Sequence, residues 1–225
     1  MRFTILPLFV ALSLPVAVSA DIVAAYDFTG NTGAEAFEIW SYVAPNALAS
    51  NLTRGPGLFA TANPDSFAAK NWMGPEGTDY FSFSIAPETG YKIDLTSIDL
   101  GVMFQDLPHE STAFQLHSSL DGFASILGSV PVTFPATSQQ ISFGTPLSIL
   151  SQVEFRLVAH INSDNGKFAA LTNQNGTPGL VLNGLVSPAS VPEPGSIVLL
   201  TLTGLATVGV RTVRKRRSKN LQAAA

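Results

Sequence analysis

Three histidines are candidates for acid–base or metal chemistry, but they are scattered along the chain. His109, His117 and His160 have none of the short spacings that bring metal ligands together on one helix or loop. The sequence also contains no cysteine, which excludes zinc–thiolate sites, disulfides and thiol nucleophiles. Because the G-x-S-x-G, H-E-x-x-H, Walker and EF-hand patterns are absent as well, we predict no catalytic residue and no enzymatic activity.

The sixteen acidic residues could supply two other kinds of site. A glycosidase needs two carboxyl groups about 5–10 Å apart, and the sequence leaves that distance open. Carboxylate and amide oxygens also bind calcium, so Asp21, Asp27, Asp164 and Asn165 could hold a structural Ca²⁺. Beyond that ion, whose site stays open, we expect no cofactor.

Aromatic and charged side chains suggest two surface features. Trp40, Trp72 and Tyr80 could form a platform for a sugar ring, although large aromatic residues in a sandwich often belong to the core or its rim. Glu154 and Arg156 are two positions apart on a predicted strand, so they should share one face and form a surface ion pair.

Charge is segregated along the chain. Residues 21–195 contain five basic and sixteen acidic residues, a net charge of −11, whereas the chain after them carries six basic residues and no acid. An acidic body repels phosphate groups, so we predict no nucleic-acid partner. The basic residues of the tail are Arg211, Arg214, Lys215, Arg216, Arg217 and Lys219.

Alternation of apolar and polar residues, rather than a helical period, predicts the elements that position these side chains. Pro131 suits an edge strand, and residues 35–42 fit either a strand or a short helix. The predicted strands lie at 22–28, 80–85, 98–105, 113–117, 130–134, 153–161, 167–172 and 179–186.

Turn sequences separate these strands and indicate the fold class. Pro87–Gly90 and Asp121-Gly122 are good turns, and 164–166 should join the strand at 153–161 to the next one as a hairpin. About ten short strands without intervening helices predict an all-β fold, a two-sheet antiparallel β-sandwich over residues 21–187. Uneven loop lengths favour a jelly-roll-like arrangement over an up-and-down barrel.

The first twenty residues are typical of a secretory signal peptide. Arg2 precedes an apolar run that closes on Val18-Ser19-Ala20, with small residues at both recognition positions of an A-x-A-like site, so we expect cleavage between Ala20 and Asp21. Pro7 and Pro15 disfavour the alternative, a permanent N-terminal anchor.

The other end is typical of a stop-transfer segment. A linker at 188–195 precedes an apolar stretch at 196–213, which is predicted to be a transmembrane helix. A basic tail follows at 214–225, and the positive-inside rule places that tail in the cytoplasm and the body outside it.

The order Pro192-Glu193-Pro194, apolar segment, basic cluster resembles the C-terminal sorting signal of bacterial PEP-CTERM proteins. The resemblance covers residues 191–219. It implies that an exosortase-type protease of a Gram-negative bacterium recognises Pro192, Glu193 and Pro194 and processes the exported precursor. The precursor would be anchored in the inner membrane, and its product would reach the cell envelope or the extracellular space. The segments 24–30, 80–116 and 118–123 are also similar to the β-sandwich ectodomains common in that family.

Three functions remain open for the body. The first, which is the hypothesis we favour, is a non-catalytic cell-surface or matrix protein that is processed through its sorting signal. The second is a carbohydrate-binding module on the same signal, with extracellular polysaccharide as its partner. The third is a secreted polysaccharide hydrolase.

Overall fold

β-Strands account for almost all of the regular structure in the described part of the computed structural model. The model describes residues 20–72, 77–104, 113–160 (the backbone alone at 160) and 168–189. The described residues form fifteen strands and one 3-10 turn, Ser119–Asp121. The strands are β1 (Asp21–Tyr26), β2 (Phe37–Glu38), β3 (Tyr42–Val43), β4 (Ala47–Ala49), β5 (Leu52–Arg54), β6 (Phe59–Ala60), β7 (Ser66–Lys70), β8 (Phe81–Pro87), β9 (Tyr91–Phe104), β10 (Ala113–Ser118), β11 (Gly128–Pro131), β12 (Thr137–Ile149), β13 (Val153–His160), β14 (Phe168–Thr172) and β15 (Leu180–Pro188).

These strands build a two-sheet antiparallel β-sandwich, which confirms the predicted fold class. Sheet A has the strand order β3-β1-β15-β9-β14-β7-β6, and β12 also pairs with β9. Sheet B has the order β11-β10-β13-β8-β5-β2, and β4 also pairs with β8. The sandwich lies in the first of two units, Met1–Ser187; of the second unit, Pro188–Ala225, the structure describes residues 188 and 189.

The core lies between the two sheets, where the predicted apolar faces meet. Phe81, Phe83 and Ile85 on β8 are buried, as are Phe155 and Leu157 on β13. Burial of such side chains contributes about 1.5–3 kcal/mol each. The alternation in the sequence therefore identified the inner face of sheet B correctly.

A half-buried arginine, Arg54, lies at one side of the sandwich. Arg54 points inward from β5, and its guanidinium lies 3.7 Å from the centroid of the Phe67 ring. It donates hydrogen bonds to the carbonyl oxygens of Gly33, Glu35 and Ala68. Burial lowers the pKa of Arg54 to about 10. Its donors therefore tie the 33–35 loop to both sheets.

The predicted hairpin at 164–166 is wrong. β13 pairs with β8 and β10 in sheet B, whereas β14 pairs with β7 and β9 in sheet A. β13 and β14 therefore belong to different sheets. The hairpin prediction failed because alternation predicts a strand but not the strand with which it pairs. The turn residues 164–166 lie outside the described residues.

Other predictions differ from the structure in detail. Residues 35–42 contain the very short strand β2 and the first residue of β3, and no helix. The strand predicted at 130–134 ends at Pro131, and Phe134 is 64% exposed. Strand β11 is an edge strand, as Pro131 predicted. The strand count exceeds ten partly because five strands have only two or three residues.

The predicted targeting segments lie largely outside the described residues. These segments are the signal sequence before Ala20, the triplet at 192–194, the helix at 196–213 and the basic tail. Across the described ranges, no helix is both long and apolar enough to cross a membrane. The targeting segments remain predictions.

Candidate functional site

The outer face of sheet B carries a straight row of side chains, which we call the outer row: His117, Arg156, Ser82, Thr53 and Phe37. Register places them side by side on five neighbouring strands, since His117 pairs with Arg156, Arg156 with Ser82, Ser82 with Thr53, and Thr53 with Phe37. At about 4.8 Å between strands, the row is roughly 19 Å long. A row of this length suits an extended ligand.

The pleat of the sheet explains why these residues face outward. Their chain neighbours Leu116, Phe155, Phe83 and Leu52 are buried between the sheets, and successive side chains on a strand point to opposite faces. Phe37 at the open edge of the sheet is 48% exposed. The row thus begins inside the sheet and ends at an accessible aromatic ring.

Arg156 is held in a fixed position near one end of the row. Its guanidinium lies 4.2 Å from the centroid of the Tyr80 ring and 3.8 Å from that of Phe123. Its Nε donates to Glu154 Oε1 at 2.8 Å, which confirms the predicted ion pair. The two charged side chains are 24% and 37% exposed. Three contacts restrict the rotamers of Arg156, so it can meet a ligand with little further loss of entropy.

The loop after β10 brings Phe123 over the sheet. Gly122 adopts a left-handed conformation with φ of 70° after the 3-10 turn, and Phe123 follows with φ of 67°. The Phe123 carbonyl oxygen lies 3.1 Å from His117 Nδ1. Asp121 accepts hydrogen bonds from the N–H groups of Ala124 and Ser125. Hydrogen bonds from Ser125 and Ala124 lower the pKa of the Asp121 carboxyl, so the loop carries a negative charge beside the row.

Hydroxyl and amide groups surround the middle of the row. Thr53 Oγ1 and Ser82 Oγ are hydrogen-bonded at 3.0 Å. In the adjacent row, Gln152 Nε2 donates to Ser84 Oγ at 3.1 Å, and the Ser84 N–H donates to Ser50 Oγ. Ser84 is buried beneath these contacts, whereas Ser82 and Thr53 are half-buried, so the face presents the hydroxyl groups of Ser82 and Thr53 in positions fixed by the sheet.

A separate cleft of about 600 Å³ lies where β1, β3 and β15 meet. Tyr42, at its wall, is 46% exposed, and Trp40 nearby in the chain is 43% exposed. Among the described lining residues, Asp21 is the one carboxylate. The lining residues are Asp21, Ile22, Val23, Tyr42, Ala44, Pro45, Asn46, Gly184, Leu185 and Val186. Its volume is in the range of small-ligand pockets.

The structure does not bring the three predicted platform residues together. Trp72 is a core residue, 5% exposed, and its ring packs edge-on against Phe81 and Phe114 with centroids 4.9 and 5.6 Å away. Its Nε1 donates to the Ala69 carbonyl oxygen. The prediction of a shared platform is therefore wrong, because Trp72 packs in the core, which was the alternative for a large aromatic residue in a sandwich. Tyr80 instead stacks on Arg156, a partner that the sequence did not suggest.

The calcium prediction is not tested by the described residues. Asp27 Oδ1 accepts hydrogen bonds from the Thr29 N–H, Thr29 Oγ1 and Asn173 Nδ2. Within the ranges that the structure covers, no group of three or more His, Asp or Glu side chains could hold a metal ion. Asp164 and Asn165 lie outside those ranges. Of the histidines, His117 lies half-buried on the strand face, His109 is not described, and His160 ends β13.

No family model and no curated protein matches the chain. Among solved structures, it is similar to a family 29 carbohydrate-binding module, with 10% identity, a TM-score of 0.38, and coverage of 74% of this chain and 90% of that one. Variants of the module CBM29-2 in complex with cellulohexaose and mannohexaose match with the same identity, TM-score and share of this chain, and with 92% and 93% of their own chains. Similarity at this level assigns neither a family nor a ligand to this chain.

Proposed function

We propose that this protein is an exported, non-catalytic carbohydrate-binding module on a C-terminal sorting signal, and that the outer row of sheet B binds the glycan. The observation that carries the proposal is the fixed row itself: Arg156 between two aromatic rings, continuous with the hydroxyl groups of Ser82 and Thr53 and ending at Phe37. Sugars present both apolar C–H faces and hydroxyl groups, and this surface offers partners for both. Consecutive strands change sheet repeatedly, as β8, β9 and β10 do, which supports the jelly-roll-like arrangement.

Two observations favour binding over hydrolysis. Glycoside hydrolysis by the usual route needs two carboxyl groups in one site. Of the described carboxylates beside the outer row, Glu154 is already paired with Arg156, and Asp121 accepts hydrogen bonds from the N–H groups of Ala124 and Ser125. The described lining of the cleft contains one carboxylate, Asp21. A hydrolase therefore has less support than a binding module.

A glycan array read with the purified full chain and two variants tests the proposal. Arg156→Ala should weaken binding at least tenfold, because it removes the charged donor and the partner of both rings. Lys92→Ala is the matched control, since Lys92 forms a similar exposed ion pair with Asp94 at 2.7 Å on β9 of sheet A. No binding by the unmodified chain, or equal losses in both variants, would contradict the proposal.

The sorting signal is the second part of the proposal, and its support is the sequence order at 191–219. Co-expression with an exosortase-type protease should yield a product that lacks the basic tail. Mass spectrometry of the C-terminus checks this, and an unchanged tail in the presence of the protease would remove the sorting role. A surface or matrix protein without a glycan ligand is the alternative if processing occurs and the array stays empty.

A further inference from the structure

On the outer face of sheet B, one negative and one positive side chain balance each other, and this balance bears on the kind of ligand that the face can bind. Among its described strands, register places Glu154 and Arg156 on the outer face as the charged residues, and they form one ion pair. The single cation of the surface is therefore neutralised at 2.8 Å. A ligand carboxylate that approached Arg156 would therefore also be repelled by the carboxylate of Glu154.

The body as a whole is acidic, and one of its carboxylates lies in the loop that contacts Arg156. Residues 21–195 carry a net charge of −11, and Asp121 lies in the loop that carries Phe123 over Arg156. Exposed charges act over about 8 Å at physiological ionic strength, so nearby Asp121 counts more than distant acids. Both contributions disfavour an acidic chain along the row.

We infer that the outer row selects neutral polysaccharide chains and rejects uronate-rich ones, with Glu154 as the residue that sets this specificity. The inference rests on the proposed glycan-binding function. Glu154 neutralises Arg156 while leaving its stacked guanidinium in place, so the arginine donates to sugar hydroxyl groups without acting as an anion site. Without that carboxylate, a planar guanidinium would be well suited to bind the carboxylates of acidic sugars.

The shape of the row supports an extended chain as the ligand. The row crosses five strands over roughly 19 Å and ends at Phe37 on the edge strand β2. A straight row of fixed groups provides repeated contacts along a polymer, whereas a single sugar would contact only part of it. Affinity should therefore rise with the length of a neutral oligosaccharide until it spans the row.

The test uses matched ligands and an isosteric variant. Binding of the full chain to soluble β-glucan, mannan and galactan is compared with binding to the same polymers oxidised at C6 to uronates. At low salt, we expect at least one neutral polymer to bind and its oxidised form to bind at least tenfold more weakly. Glu154→Gln keeps an oxygen that can accept from Arg156 Nε but removes the charge, so it should close most of the gap between the neutral polymer and its oxidised form.

The outcomes separate the inference from the function on which it rests. If no neutral or oxidised polymer binds, the proposed function itself fails. If glycans bind but the oxidised forms bind the unmodified chain as tightly as the neutral ones, the inference is overturned and the function stands. A gap that Glu154→Gln leaves unchanged would show that Glu154 does not set the specificity, which also overturns the inference.

Discussion

At the scale of single residues, Asp27 and Asn173 show how polar side chains hold the loops of this sandwich. Asn173 Oδ1 accepts from the N–H groups of Phe28 and Gly179, and its Nδ2 donates to Asp27 Oδ1 at 2.6 Å. Hydrogen bonds from Thr29, first from its side chain and then from its N–H, and one from Asn173 lower the pKa of Asp27. The carboxylate therefore fastens the end of β1 to the loop before β15.

This arrangement predicts a pH-dependent effect of Asp27→Asn. Because the folded state lowers the pKa of Asp27, the stabilisation is present above the unfolded value near 3.8 and is lost as pH falls through the folded value. The free energy of unfolding of the variant should fall below that of the unmodified protein at pH 7, and the difference should shrink at pH 3. Urea unfolding at both pH values measures it, and a difference that does not change with pH would contradict this role.

The sequence predicts some residues of the outer row and its contacts but not others. The Glu154–Arg156 pair was predictable because two positions on one strand share a face. Phe123 was not, because its approach to Arg156 depends on a left-handed loop conformation that no local pattern specifies. Ser82 and Thr53 carry no motif, and they belong to the row only through cross-strand register.

At the scale of the elements, the side chain of Arg54 links β5 to the 33–35 loop and to β7 through three hydrogen bonds. Arg54→Met should lower the free energy of unfolding by about 2–4 kcal/mol, since three hydrogen bonds from a charged donor are lost. Amide hydrogen exchange of residues 31–38 should become faster than in the unmodified protein. Lys92→Met is a control on an exposed ion pair, for which we expect less than about 1 kcal/mol. Equal effects of the two variants would argue against the role of Arg54.

The close approach of β9 to β14 gives a second prediction for the elements. A Cβ atom at Gly101 would collide with the carbonyl oxygen of Thr172, whereas one at Gly144 on β12 would meet no atom within 4 Å. Gly101→Ala should therefore cost roughly 2–3 kcal/mol, while Gly144→Ala should change stability little. Thermal unfolding of both variants tests this, and a tolerated alanine at position 101 would mean that the strands can separate.

The strands themselves were predictable where one face is apolar, and less so elsewhere. β8, β10 and β13 alternate strictly, and the structure confirms them. β12 was missed because most of its residues are polar and only Ile141 and Ile149 are buried. The two halves of β12 also shift register between Ser142 and Leu147, which breaks the period. The pairing of strands across the two sheets depends on long-range contacts that local alternation does not contain.

At the scale of the whole molecule, the chain combines an acidic β-sandwich with predicted export and sorting segments. If the outer row binds glycans as proposed, the acidic body and the balanced Glu154–Arg156 pair should both favour a neutral glycan over an acidic one. A binding module that is retained or released through its C-terminus would link a cell surface to its polysaccharide. The export and sorting segments are predicted from the sequence, whereas the outer row follows from the register of sheet B.

The most direct test of the central claim is to block the outer row sterically and measure glycan binding. Ser82→Tyr places a bulky ring in the middle of the row, and Ser142→Tyr places the same ring on an exposed position of β12 in sheet A. Calorimetric titration with the neutral polymer that binds best should show at least a tenfold loss for Ser82→Tyr and none for Ser142→Tyr. Unchanged binding by a correctly folded Ser82→Tyr variant would contradict the claim that sheet B binds the glycan.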